Sequence, residues 1–305
     1  MISIPFITLD VFTVERFRGN PLAVILDGRG LSDVTMQAIA AEFGYSETTF
    51  VLPPTDAANT AQVRIFTPVM EIPFAGHPNV GTAIALAGQP TLFGQSLGDD
   101  PRFEEKAGLV TVQLSRDDNG LVNARIRAPQ PLFVSGPVAT ADLAAAMCLA
   151  ESDIQTANHA PAFISVGLTF IAAELTDLAA LGRSKPDLAA LGRLVEIHAD
   201  QETDGATFLY CRMSENHVHA RMFSPFDNVA EDPATGSASA ALAAYLAQQA
   251  PEADLDQTLV IEQGVEMGRR SLITVTVQKV GGTIIRTEIS GHAVTVMQGT
   301  LSIDR

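Results

Sequence analysis

At 305 residues the chain is long for a single hydrophobic core, and its 47% hydrophobic and 18% charged content is that of a compact two-lobed protein rather than a disordered one. A formal net charge of -16 repels phosphate backbones and anionic headgroups, which argues against nucleic acid or membrane as the main partner and leaves small ligands open. Two cysteines, Cys148 and Cys211, form neither a disulfide framework nor a metal motif; with no basic leader in the first ten residues and no apolar run near the ~20 of a membrane span, the expected compartment is the reducing cytoplasm.

In chain order, the first helical pattern runs from Leu31 to Phe43, with Ser32 as N-cap, Val34, Ile39 and Phe43 as buried candidates, and Gly44 as the stop. Tyr45-Ser46-Glu47 then leads into the β-branched and aromatic run Thr48 to Leu52, so Glu47 stands at a helix-to-strand junction, the kind of place that often faces a cleft. Arg64-Ile65-Phe66-Thr67-Pro68 reads as a strand. After it come a helix opening, His77-Pro78-Asn79-Val80-Gly81-Thr82-Ala83, and a small apolar run to Gly88. Leu109 to Leu114, a turn at Asn119-Gly120 and Leu121 to Ile126 read as a hairpin.

Pro129-Gln130-Pro131 denies a sheet its donors, which places the lobe junction there: residues 1–129 and 130–305, with a last strand, about 293–305, able to return to the first lobe. Asp177 to Arg183 and Asp187 to Arg193 repeat a short Ala/Leu-rich unit, with Pro186 separating two helical pieces. Arg221-Met222-Phe223-Ser224-Pro225 then echoes the earlier strand, and Asp232-Pro233-Ala234-Thr235-Gly236-Ser237-Ala238 echoes the helix opening. The apolar run to Ala247 and a hairpin turning near Gly281-Gly282 complete the second series. A five-residue echo arises by chance; the same ordered series half a chain later is a duplication.

Ala238 to Ala247 is apolar on nearly every face, so the helix must be surrounded rather than laid on a surface. The expected fold class is therefore α+β: two pseudo-symmetric lobes, each a curved mixed or antiparallel sheet or barrel wrapped around a central helix. Pro at a first helical position makes Asp232 and His77 the matching N-cap candidates, and the bare N-H groups of a helix start can hold a carboxylate. Gly76 and Gly236 would let a ligand approach the backbone. With lobes related by a pseudo-twofold axis, the two starts would face one cleft flanked by His77 and Asp232. Glu47 by itself is uninformative, since an isolated Glu near a turn is usually just solvated; to be a general base it needs a partly dry setting that raises its pKa. His217 and His219 share a strand face without a third ligand of suitable spacing, so no metal site is expected, and no dinucleotide or phosphate loop is visible.

Several segments together resemble the PhzF-like family of phenazine biosynthesis. They are Asp10-Val11-Phe12, Gly19-Asn20-Pro21-Leu22-Ala23-Val24, Ser46-Glu47-Thr48-Thr49-Phe50, Arg64 to Ala83 with Phe74-Ala75-Gly76-His77-Pro78, Glu231 to Ala238, and Gln263-Gly264 with Met267-Gly268-Arg269. Asn79 and Asn228 stand where that family often has Thr and Gly. The resemblance implies a diaminopimelate-epimerase-like fold, an isomerase with no metal or organic cofactor, and homodimers. It implies that Glu47 shuttles a proton on a small unsaturated carboxylic acid while His77 and Asp232 assist and backbone groups around Gly76, Gly236 and Ser237 grip the ligand. In the epimerases two cysteines act from the corresponding helix starts; neither cysteine lies there in this chain. A non-catalytic carboxylate-binding protein and, further behind, an amino-acid epimerase are the competing expectations.

Overall fold

Short runs of alternating apolar and polar residues, rich in Val, Ile, Thr and Phe and bounded by Gly, Pro and Asp, give most of the chain to strands. The computed structural model describes residues 2–116, 120, 122–201 and 203–303, so Asn119 and Leu121 of the expected first hairpin lie outside the described residues. Contacts divide the chain into two compact units, Met1–Arg127 with Ser290–Arg305, and Ala128–Ile289. The class is α+β, a mixed sheet curled about a helix in each. Among the described residues no helix is long and apolar enough to cross a membrane.

The first unit runs β1 (Ile2–Val11), β2 (Asn20–Ile25), α1 (Asp33–Phe43), β3 (Glu47–Leu52), β4 (Ala61–Phe66), β5 (Glu71–Ile72), α2 (Gly76–Ala87), β6 (Arg102–Glu105), β7 (Gly108–Arg116) and β8 (Val122–Arg127). β1 and β2 are antiparallel, β2 and β3 parallel, β3 and β4 antiparallel, β4 and β6 parallel, and β6, β7 and β8 antiparallel in turn. α2 touches β1, β2 and β3 at one end of this order and β7 and β8 at the other, so the sheet closes around it. Its residues from Gly76 to Leu86 are all buried, the polar His77, Asn79 and Thr82 among them. Gly81 is needed for that closeness: a Cβ there would stand 2.5 Å from Leu22 Cδ2 and 2.7 Å from Val11 Cγ2. The other sheet face carries α1, packed on Ile4, Ile25, Phe50 and Phe66.

The second unit runs β9 (Phe133–Pro137), α3 (Thr140–Ala146), β10 (Ile154–Gln155), β11 (Ala162–Ser165), β12 (Thr169–Leu175), α4 (Leu178–Arg183), α5 (Leu188–Ile197), β13 (Thr207–Ser214), β14 (His217–Ser224), β15 (Val229–Asp232), α6 (Gly236–Gln249), β16 (Leu255–Gln263) and β17 (Ser271–Val280), and the last strand, β18 (Thr283–Ile303), starts in it and belongs to the first unit from Ser290 on. Here β11 and β12 are antiparallel, β12 and β13 parallel, β13 and β14 antiparallel, β14 and β16 parallel, and β16 and β17 antiparallel. This is the pairing order of the first unit, repeated with α6 in the place of α2. Ala238 to Ala247 are all buried against β11, β12, β16 and β17. Gly281 and Gly282, both at positive φ, turn β17 into β18. The far end of β18 pairs antiparallel with β1, from Ala293 opposite Val11 to Ile303 opposite Ile2.

The echoed strands share more than letters. Arg64 grips Glu71 through Nε and Nη2 at 2.8 and 2.7 Å, and Arg221 grips Glu231 through the same atoms at 2.8 and 2.8 Å. Each guanidinium also lies over the phenylalanine two residues on, Phe66 at 5.2 Å and Phe223 at 4.7 Å. The two short Ala/Leu repeats are α4 and α5, capped by Asp177 and Asp187, whose carboxylates accept from Ala180 and Ala190 N-H. Asn228 has φ of +62°, a conformation Asn tolerates better than other side-chain-bearing residues.

Two local expectations are corrected. Val34 is 80% exposed; the buried stripe of α1 is Met36, Ile39 and Ala40, with Phe43 half-buried beside Phe6. These four share one heptad-spaced face, which Val34 misses. The helix openings also differ from expectation. α2 begins at Gly76, so His77 lies inside its first turn, whereas α6 begins only at Gly236, and Asp232 is the last residue of β15 rather than an N-cap. Residues 233–235 stay out of the helix because Thr235 is extended, at φ -112° and ψ 94°, and the Gln263 side chain holds it there by accepting from its N-H at 3.1 Å.

Candidate active site

α1 ends in a left-handed Gly44 whose N-H bonds the Ala40 carbonyl at 3.1 Å, and the chain turns at once toward β3. Ser46 Oγ donates to Asn20 Oδ1 at 2.9 Å, and β3 starts with Glu47 in parallel register with Leu22. The turn therefore delivers the Glu47 carboxylate beside the start of α2, with Oε2 3.4 Å from His77 Nδ1. Only 16% of the Glu47 side chain and 6% of the His77 side chain are exposed.

Burial pushes the His77 imidazole down to about 3, against a smaller opposing hydrogen bond to the Pro21 carbonyl. At neutral pH the ring is uncharged, so its contact with Glu47 is not an ion pair. Its Nε2 is buried without a hydrogen-bond partner among the described residues. Between about pH 6.5 and about 3 the unfolded chain takes up a proton that the buried ring refuses, and stability falls as pH falls. That share is on the order of 3 kcal/mol by pH 4. Equilibrium urea unfolding of His77→Gln across this range is expected to show a shallower acid decline than the wild type; parallel curves would contradict it.

Gly76, the first residue of α2, is buried, and its cap residue Ala75 has no side chain able to bond the first-turn N-H groups. In the second unit Thr235 precedes α6 but does not cap it either: its hydroxyl donates to Asp232 Oδ2 at 2.5 Å. Gln263, fully buried, locks this turn. Its Oε1 accepts from Thr235 N-H, and its Nε2 donates to the Asp232 carbonyl at 2.7 Å and to Thr235 Oγ1 at 3.0 Å. Gly264 lets the following loop press on the turn, since a Cβ there would lie 2.7 Å from the Pro233 carbonyl. Gly236 and Ser237 are the first two residues of α6.

Of the residues singled out from sequence, the first unit brings Glu47, Gly76 and His77 together, and the second brings Asp232, Gly236 and Ser237 together. Counting from each helix start, the counterpart of His77 is Ser237, not Asp232, which precedes its helix by four residues. Each unit thus presents a buried helix start with no side-chain cap, an arrangement suited to holding a carboxylate. Asn20, Pro21, Thr235 and Gln263 orient these groups, and the sequence signals them only as members of the segments Gly19-Asn20-Pro21, Glu231 to Ala238 and Gln263-Gly264. His217 and His219 each face one carboxylate, Glu262 at 3.7 Å and Glu266 at 3.3 Å. Among the described residues no group of three or more His, Cys, Asp or Glu is placed to hold a metal ion.

The sequence pattern of one family, described as phenazine biosynthesis-like protein, matches residues 9–299. An uncharacterised isomerase of Mesorhizobium japonicum is 42% identical over 305 residues, 98% of both chains. The trans-2,3-dihydro-3-hydroxyanthranilate isomerase of Pseudomonas aeruginosa is 36% identical over 96% of this chain and 98% of its own. Among solved structures, a Bacillus anthracis protein of the PhzF family superimposes with a TM-score of 0.86 at 28% identity, over 99% of this chain and 100% of that one.

Proposed function

The chain belongs to the phenazine biosynthesis-like PhzC-PhzF family and is an isomerase, and on that premise we propose that it moves a proton on a small unsaturated carboxylic acid, with Glu47 as the base and with no metal or organic cofactor. The observation that carries this reading is the contact of Glu47 with the buried, uncharged His77 at the uncapped start of α2. A carboxylate in a largely dry setting is a stronger base than one in water.

In the proposed step Glu47 takes a proton from carbon next to the unsaturated system. The electron pair left behind spreads over the double bonds toward the substrate carboxylate. The N-H groups at Gly76 hold that carboxylate, where they meet the growing negative charge without rearranging. Glu47 then returns the proton to a different atom of the same system, so atoms and charge balance and nothing is consumed. The neutral ring of His77 keeps Glu47 oriented without neutralising it. In the second unit Gly236 and Ser237 are assigned to ligand binding, and Asp232, held by Thr235, to hydrogen bonding or proton relay.

The test uses trans-2,3-dihydro-3-hydroxyanthranilate, the compound named for the Pseudomonas relatives, and a panel of related unsaturated acids in deuterium oxide. An isomerised product carrying solvent deuterium at the new C-H position, read by mass spectrometry and NMR, is the expected result. A panel member that raises the thermal midpoint but is never converted or exchanged would make the chain a carboxylate-binding protein instead.

A further inference from the structure

The repetition of strand order reaches a residue the site has not used. β6 and β16 hold equivalent places, each parallel to the strand with the echoed arginine. Gln263 lies opposite Ala220, the residue before Arg221. Ala61 lies opposite Phe103 and Gln62 opposite Glu104, so one further step in the same register sets Glu105 opposite Val63, the residue before Arg64. Glu105 is therefore the first unit's counterpart of Gln263, at the end of the strand beside the helix start.

Gln263 braces its turn because an amide offers a donor and an acceptor at once. An ionised carboxylate offers acceptors only. Both oxygens of Glu105 are buried without a well-formed hydrogen bond among the described residues, and the one polar side chain in reach to influence the carboxyl is Asn79, in the first turn of α2. Asn79 Nδ2 donates to the Ala75 carbonyl at 3.0 Å, which leaves Oδ1 as its remaining acceptor, and Oδ1 is likewise buried without a partner. These acceptors need a donor, and one proton on Glu105 supplies it.

We propose that Glu105 is a positioning residue held as the neutral acid, donating to Asn79 Oδ1 and thereby fixing the turn that carries Gly76 and His77, as Gln263 fixes the turn that carries Asp232. The proposal rests on the reading of Glu47 and His77 as the site. Burial moves the Glu105 carboxyl up to about 8, against a smaller lowering by Asn79. Its charged neighbours in β6 and the following turn are committed elsewhere: Lys106 to Glu71 at 2.6 Å, and Glu104 to Asn59 and the N-H groups of Thr55 and Asp56.

Glu105→Gln supplies donor and acceptor at every pH, and Glu105→Leu supplies neither. From about pH 4.5 to about 8 the unfolded wild type releases the Glu105 proton while the folded protein keeps it, so stability falls with rising pH over that window. Glu105→Gln is expected to lose this component and to have the higher thermal midpoint at pH 8. At pH 7, kcat on trans-2,3-dihydro-3-hydroxyanthranilate should stay within about 3-fold of wild type in Glu105→Gln and fall at least about 10-fold in Glu105→Leu, with a smaller change in KM. Above pH 8 Glu105→Gln should hold its kcat while the wild type declines. Superimposable midpoint-pH curves of wild type and Glu105→Gln, or a loss in Glu105→Gln as large as in Glu105→Leu, would overturn the proposal. Full activity in a Glu47→Gln control would instead remove the site reading and leave the stability curves to decide the state of Glu105.

Discussion

Glu47→Gln is expected to lower kcat for proton transfer by about 10²–10⁴-fold while leaving the fold and ligand affinity close to wild type. The amide has the volume of the carboxylate and can still meet the neutral His77 ring at the 3.4 Å contact, so the β3 start and its Ser46-Asn20 bond have no reason to move. What disappears is the lone pair able to accept a proton from carbon. The measurement is single-turnover conversion with solvent deuterium uptake, beside calorimetric titration with the same acid. Retained exchange at wild-type rate removes Glu47 from the base role. Lost exchange together with lost binding shows instead that the carboxylate was part of the ligand cradle. The split between kcat and affinity therefore carries the conclusion.

The largest effect on stability is expected at Arg221. Its side chain is 9% exposed, its Nε and Nη2 hold Glu231, and its Nη1 lies 3.0, 3.1 and 2.9 Å from the carbonyls of Leu181, Gly182 and Ser184 at the end of α4. Arg221→Met keeps much of the stem but leaves the Glu231 carboxylate and three carbonyls in poor solvent contact. The expected loss is about 3–5 kcal/mol. In the first unit Arg64 holds Glu71 in the same way, yet it is 20% exposed and its third partner, Asp33, is 79% exposed. Arg64→Met should therefore lose about 1–2 kcal/mol. Urea unfolding with equal m-values separates the two; equal midpoints for the variants would show that burial does not set the difference.

The same pair of arginines shows how far a linear reading reaches. The echo from Arg64 to Pro68 and from Arg221 to Pro225 is written in adjacent letters, and the structure returns it as two strands with the same bidentate partner and the same ring beneath. The all-round apolar run from Ala238 to Ala247 was legible as an enclosed helix because its composition admits no solvent face. Val34 was misread because two turns of an 11-residue helix fit more than one stripe, and only the strands beneath α1 select Met36, Ile39 and Ala40.

Glu47 stood out through the family resemblance of Ser46 to Phe50, and His77 and Asp232 also through the prolines that follow them. Their pairing as equivalent caps did not survive, because a helix begins only where the chain leaves the extended turn before it, and in the second unit a distant side-chain partner holds that turn. For α6 that partner is Gln263, 28 residues beyond Thr235. Local propensity and duplication are properties of neighbouring residues, so sequence alone determined the fold class and the repeated order of elements, while the choice of Glu47 as base candidate rests on the family resemblance. The uncharged state of His77, the starting residue of each helix and the role of Glu105 depend on burial and on hydrogen-bond donors supplied from distant strands. Only the folded chain brings those donors within reach, and only it removes the water that would otherwise satisfy every group alike.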